Sequence, residues 1–145
     1  MAPLVVLVVI AGLGRFIGWL GNLGWLDSWP QAAALGLAAM FALTSSAHFI
    51  QPKRGALVAM VPPQLSNPAR WVTLTGLLEI GGAIGLLIPS VAKLAAAGLI
   101  LLLVVIFPAN IHAAQVDTGI KTMPLPLRTV VQLIFLGAAG LVLVG

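Results

Sequence analysis

Five apolar stretches follow one another along this chain, each close to the roughly 20 residues that a helix needs to cross a bilayer, with short polar connections between them. They fall at about 3–20, 31–49, 71–88, 93–114 and 127–145, and none carries more than one charged residue. Together with their connections they use up the 145 residues, so no separate soluble domain is expected. Only 7% of residues are charged, against roughly 25% in a soluble domain. The expected fold is therefore all-α: a polytopic membrane helix bundle with five spans, forming one integral membrane domain.

The connections carry their own signals. No Lys or Arg precedes the first stretch and no small-residue cleavage site follows it closely, which reads as a retained helix rather than a secretory signal. GNLGWLDSWP (21–30) mixes turn formers with Trp25 and Trp29, residues that favour the headgroup region. Residues 51–70 contain ALVAMVPPQL, which is apolar but too short to cross, and an interfacial helix broken at Pro62 and Pro63 is expected there. IPSVAK (88–93) is short enough to make the third and fourth spans an antiparallel hairpin.

Five spans put the connections 51–70 and 115–128 on one side, with Lys53, Arg54, Arg70, Lys121 and Arg128. The positive-inside rule makes that side cytoplasmic. The N-terminus is then cytoplasmic, the C-terminus external, and the bilayer the plasma (inner) membrane of a bacterial cell. The formal charge of +4 reads as topology rather than nucleic-acid binding, since no basic stripe is clustered along the chain.

Cysteine and tyrosine are both absent, which excludes disulfides, thiolate metal sites, thiol nucleophiles and tyrosyl chemistry. No nucleotide loop, paired catalytic carboxylates, nucleophile triad or metal-ligand spacing is present, so catalysis by this chain alone is not expected and no metal is assigned.

The polar residues inside the apolar stretches are the candidates for function. At about 1.5 Å rise per residue, Glu79 lies about 12 Å in from Trp71, Asn110 about 7 Å in from Gln115, Gln132 about 6 Å in from Arg128 and His48 about 5 Å in from Gln51. All four enter from the cytoplasmic side, one per helix, with His112 at the rim. Thr75, Gly76, Glu79, Gly82 and Ala83 share one helical face, and Gly81 with Gly85 offers a small-xxx-small contact. Arg15, about 18 Å along the first helix, is close enough in depth for an ion pair with Glu79 to be expected. Intramembrane ionisable groups mark functional sites by default. The two histidines, at similar depth, would permit haem ligation, but nothing else marks a haem pocket.

VPPQL (61–65), TGLLEIGGAIGLLIP (75–89), FPANIHAA (107–114) and PLPLRTVVQ (124–132), with AHF (47–49), together resemble the DoxX-like family of small bacterial membrane proteins. The resemblance implies a four-helix core made by the second to fifth spans, with the first as an extra N-terminal transmembrane helix. It also implies His48, Glu79, Asn110 and Gln132 as signature positions and a link to quinone-coupled oxidoreduction. With no cysteine, any sulfur exchange would fall to a partner protein.

Three functions are weighed. The first is a redox-accessory subunit, beside a cytoplasmic or membrane redox protein, whose His48, Glu79, Asn110 and Gln132 pocket holds a quinone. The second is transport of a small amphiphile or lipid. The third is a non-catalytic scaffold, whose GGAIG segment (81–85) would also allow oligomers.

Overall fold

A computed structural model describes residues 2–116 and 123–145. Among the described residues there are six α-helices and no strand: α1 (Ala2–Gly21), α2 (Trp29–Ala47), α3 (Lys53–Met60), α4 (Pro68–Leu86), α5 (Ala92–Ala113) and α6 (Leu125–Val144). Lys121, one of the five residues behind the expected orientation, lies outside the described residues.

Proline sets several of the boundaries. It stands in the first turn of α2, α4 and α6, where its missing N–H would have had no helical partner and its φ is already helical. Ser28 caps α2, its side chain accepting from the Gln31 N–H at 3.4 Å. Asn67 precedes α4 at φ 53°, a left-handed conformation that asparagine tolerates better than most residues. Helix α3 ends at Met60, just before Pro62 and Pro63, where the sequence places the break.

Helices α2, α4, α5 and α6 close a ring in which each packs on two neighbours, in the order α2–α4–α5–α6. Helix α1 lies against the outer side of α2, and α3 lies across one end, touching α4, α5 and α2. That end holds the C-termini of α2 and α5 and the N-termini of α4 and α6. It also carries Lys53, Arg54, Arg70 and Arg128.

Burial is inverted relative to a soluble bundle. Leu37, Met40 and Leu86 are the largest fully enclosed side chains, and much of the rest of the core is alanine. Large apolar side chains such as Val8, Phe16, Leu77, Leu94, Leu101, Val105 and Leu133 stand outward, half or more exposed. A contiguous surface of this kind is a liability in water and the natural surface in lipid.

Among the described residues three helices are long and apolar enough to cross a membrane: α1, α5 and α6, with mean hydropathy 2.1, 2.5 and 2.1. The expected five is thus reduced to three on apolarity. Helices α2 and α4 have 19 residues each but are diluted by Gln31, Thr44, Ser45 and Ser46 in one, and by Arg70, Thr73, Thr75 and Glu79 in the other. Helix α2 packs against α1, α3, α4 and α6, so it needs small residues for close approach more than large ones for lipid.

Gly36 shows that requirement. A Cβ there would stand 2.7 Å from the Leu7 carbonyl oxygen and 2.9 Å from the Ala11 Cβ, inside van der Waals contact with the α1 backbone. Gly82 and Gly85 similarly face Leu99 and Ala95 of α5, whereas Gly81, expected to share a contact with Gly85, faces open space.

Gly36→Val is expected to lower the thermal unfolding midpoint in detergent, since overpacking of this kind costs about 1–3 kcal/mol. Gly98→Ala, where an added Cβ meets nothing within 4 Å, should leave the midpoint unchanged or raise it.

Candidate functional site

The last turn of α2 cannot hide its polarity in lipid, so its hydroxyls turn back on the helix. Ser45 donates to the Ala42 carbonyl at 2.9 Å and Ser46 to that of Leu43 at 2.6 Å, the local bonding that lets hydroxyl residues end a helix in an apolar setting. The Thr44 hydroxyl lies 3.2 Å from the Phe41 carbonyl in the same way, but its shorter bond reaches across to α4, where the hydroxyl donates to Glu79 Oε2 at 2.6 Å.

His48, directly after α2, lies on the same seam. Its Nε2 is 3.3 Å from Glu79 Oε1, and its Nδ1 is 2.7 Å from the Val72 carbonyl oxygen and 3.2 Å from Thr75 Oγ1. Both ionisable side chains are buried, His48 at 8% and Glu79 at 5% exposure. Gly76 makes the approach possible, because a Cβ there would come within 2.7 Å of the His48 Cβ.

This geometry determines where the proton sits. A carbonyl oxygen only accepts, so Nδ1 carries a hydrogen and donates it to Val72. A proton on the line between Nε2 and Oε1, 3.3 Å apart, would join the two, either as imidazolium facing carboxylate or as neutral imidazole facing carboxylic acid. In both states Oε2 accepts from Thr44 and the pair has no net charge.

Arg54 of α3 closes the arrangement from the end of the bundle. Its guanidinium donates to the His48 carbonyl, to Thr73 Oγ1 at 3.0 Å and to the Ala69 carbonyl at 3.3 Å. Neither Thr44 nor Arg54 was counted in the site from sequence. The available signals were spacing: Thr44 is one helical turn before His48, and Arg54 is six residues after it across a turn.

The other expected site residues are placed elsewhere. Gln132 of α6 donates to the Leu103 carbonyl of α5 at 2.7 Å, next to the carbonyl that Pro108, lacking an N–H, leaves without its helical donor. Asn110 accepts from Arg128 at 2.8 Å, and His112 Nδ1 lies 3.0 Å from the Met60 carbonyl oxygen at the end of α3. His48 and Glu79 are brought together, while Asn110 and Gln132 make separate ties between α5 and α6. Among the described residues no group of three or more His, Asp or Glu could hold a metal ion.

The expected Arg15–Glu79 ion pair is replaced. Arg15 binds Asp27 at 2.7 Å, with both side chains partly exposed, and its guanidinium lies 5.6 Å from the centre of the Trp29 ring. Depth alone misled here, because α2 stands between α1 and α4 and the Arg15 end of α1 meets the 22–28 connection.

Two apolar grooves run along the ring's outer seams. One of about 370 Å³ lies between α4 and α5, and one of about 320 Å³ between α2 and α4.

A family model, Domain of unknown function (DUF8561), matches residues 37–141. The chain belongs to this family. The DUF8561 match begins inside α2 and ends inside α6, so it takes in the His48–Glu79 pair, α3 and both ties between α5 and α6, and leaves α1 outside. It overturns the resemblance to the DoxX-like family, whose model does not match. The strings behind that resemblance are runs of Gly, Pro and aliphatic residues, which helix packing in membranes selects in many unrelated proteins. No curated protein and no solved structure matches the chain.

Glu79→Gln and His48→Gln are each expected to lower stability by about 1–3 kcal/mol, the cost of leaving a buried polar group without its partner. The double variant should lose less than the sum, while Arg15→Gln should add to Glu79→Gln within about 0.5 kcal/mol, as independent sites do. Unfolding curves in detergent for the two cycles provide the check.

Proposed function

We propose that this protein is a five-span membrane subunit that binds a quinone headgroup at the His48–Glu79 pair, as an accessory to a redox partner that supplies the electrons. The observation that carries the reading is the buried approach of His48 Nε2 to Glu79 Oε1 at 3.3 Å, an imidazole facing a carboxyl group in the apolar interior. A quinone carbonyl oxygen needs a hydrogen-bond donor, and a quinol being oxidised needs a base. An imidazole and a carboxylate sharing one proton serve either need.

Thr44 is half-buried and binds Glu79 directly, so it is the point at which such a headgroup would meet the pair. Arg54, bonded to the His48 carbonyl, would offset negative charge when the shared proton moves to the ligand. Asn110 and Gln132, bonded elsewhere, are not part of this reading.

A scaffold role is the second reading. It is favoured by one observation: His48, Glu79, Asn110 and Gln132 each already have a protein partner. Under it the pair only fixes the register of α2 against α4.

In the proposed topology α2 and α4 also cross, the end holding Lys53, Arg54, Arg70 and Arg128 faces the cytoplasm of a bacterial cell, and Lys93 faces outward. The chain has no native cysteine, so single cysteines report cleanly. Lys93→Cys should react with a membrane-impermeant maleimide in intact cells, and Lys53→Cys should react only after the cells are opened.

Organic extraction of protein purified in mild detergent, with quinones quantified by mass spectrometry, tests the ligand. Near-stoichiometric quinone is expected in the unaltered protein and in Asn110→Leu, and loss of most of it in Glu79→Gln and Thr44→Val. Quinone no richer than in bulk membrane extract, or equal retention in all variants, would leave the scaffold reading.

A further inference from the structure

The two seam grooves differ in what lies at their ends. The α4–α5 groove is lined by Leu77, Leu78, Gly81 and Gly82 of α4, of which Gly82 borders the Glu79 face and Leu77 and Gly81 lie on the opposite side of the helix. The α2–α4 groove is lined by Leu35, Ala38, Ala39 and Ala42 of α2 and by Ala83, Ile84 and Leu87 of α4. Residues four apart share a helical face. One turn beyond Ala42 on α2 is Ser46, and one turn before Ala83 on α4 is Glu79. The apolar stripe of this seam therefore ends one turn short of Ser46 on α2 and of Glu79 on α4, where Thr44 crosses to bond Glu79.

From Leu35 to Ala42 the seam runs about 10 Å along α2. Every lining side chain is apolar, and alanines floor it where α2 and α4 approach. A linear or singly branched hydrocarbon chain fits a slot so long, shallow and open to lipid.

Resting on the quinone reading of His48–Glu79, we infer that the α2–α4 groove is the tail site of the same ligand: an isoprenoid quinone that enters sideways from the lipid. Its chain lies along Leu35–Ala42 and its headgroup stops at Thr44 and Glu79. The tail supplies affinity by packing into the slot in place of lipid, and the pair supplies headgroup recognition. The groove also sets orientation: the tail points from Thr44 towards the Lys93 end of the bundle.

The test compares a tail-less dimethoxy-methyl benzoquinone with its decyl-tailed counterpart, binding to the protein in phosphatidylcholine nanodiscs, each corrected for partition into protein-free nanodiscs. The decyl chain should tighten binding several-fold through van der Waals packing on the alanine floor and release of lipid, because the partition correction removes the transfer from water. Ala39→Phe and Ala42→Phe, which fill the groove from positions partly open to lipid, should each erase that gain and leave the tail-less affinity unchanged. Glu79→Gln should weaken both probes.

A gain that survives both phenylalanine variants overturns the tail site while leaving headgroup binding intact. A gain that depends on Ala39 and Ala42 but not on Glu79 shows a phospholipid acyl-chain site and also overturns the inference. Failure of both probes to respond to Glu79→Gln, with no tail gain, removes the headgroup reading itself.

Discussion

A carboxylate held where water cannot reach it has to be neutralised by the protein around it, and the placement of α2, α3 and α4 follows from that need at Glu79. Charge is met by the His48 imidazole and one oxygen by the Thr44 hydroxyl, both from the end of α2. The imidazole in turn needs an acceptor for its second nitrogen, which the first turns of α4 provide at Val72. With the helix broken at His48, the carbonyl there needs a donor, and Arg54 brings α3 to it. Each bond creates the polar group that the next one satisfies, a chain that ends only at the basic rim of the bundle.

Apolar packing is arranged around the same seam. Gly76 is small so that His48 can lie against α4, just as Gly36 is small so that α1 can lie against α2. Helix α2 is thereby enclosed on several sides and can be rich in alanine, whereas α1, α5 and α6 present their large aliphatic residues outward. Hydropathy and burial run in opposite directions across this bundle, as expected where the surrounding medium is as apolar as the core.

Axial features of this organisation were legible in the sequence, and azimuthal ones were not. The end of α3 could be read from Pro62 and Pro63, and depth from a fixed rise per residue. Depth gave His48, Glu79, Asn110 and Gln132 a common side of entry, with Glu79 the deepest; of the four only His48 and Glu79 meet, and Asn110 and Gln132 join α5 to α6. Arg15 failed for the same reason: a position along a helix does not state which helix stands in between. The order of helices in the ring is set by long-range packing, which local spacing does not encode, and short glycine-rich and proline-rich strings misassigned the family because many bundles share them.

The choice of ionisable groups at the α2–α4 seam bears on function. A mechanical tie between helices can be made by a neutral amide, and this bundle makes one at Gln132 and Leu103. An amide brings little desolvation cost and cannot change charge. A histidine facing a glutamate costs more to bury, and replacing such pairs by apolar residues is often neutral or stabilising elsewhere. What the pair has that the amide lacks is a movable proton. The bond from Nδ1 to Val72 keeps that proton on the Nε2–Oε1 side, the side to which Thr44 also turns. A tether does not require such polarity, whereas the site proposed above, which would give a proton to a ligand arriving along the seam, depends on it.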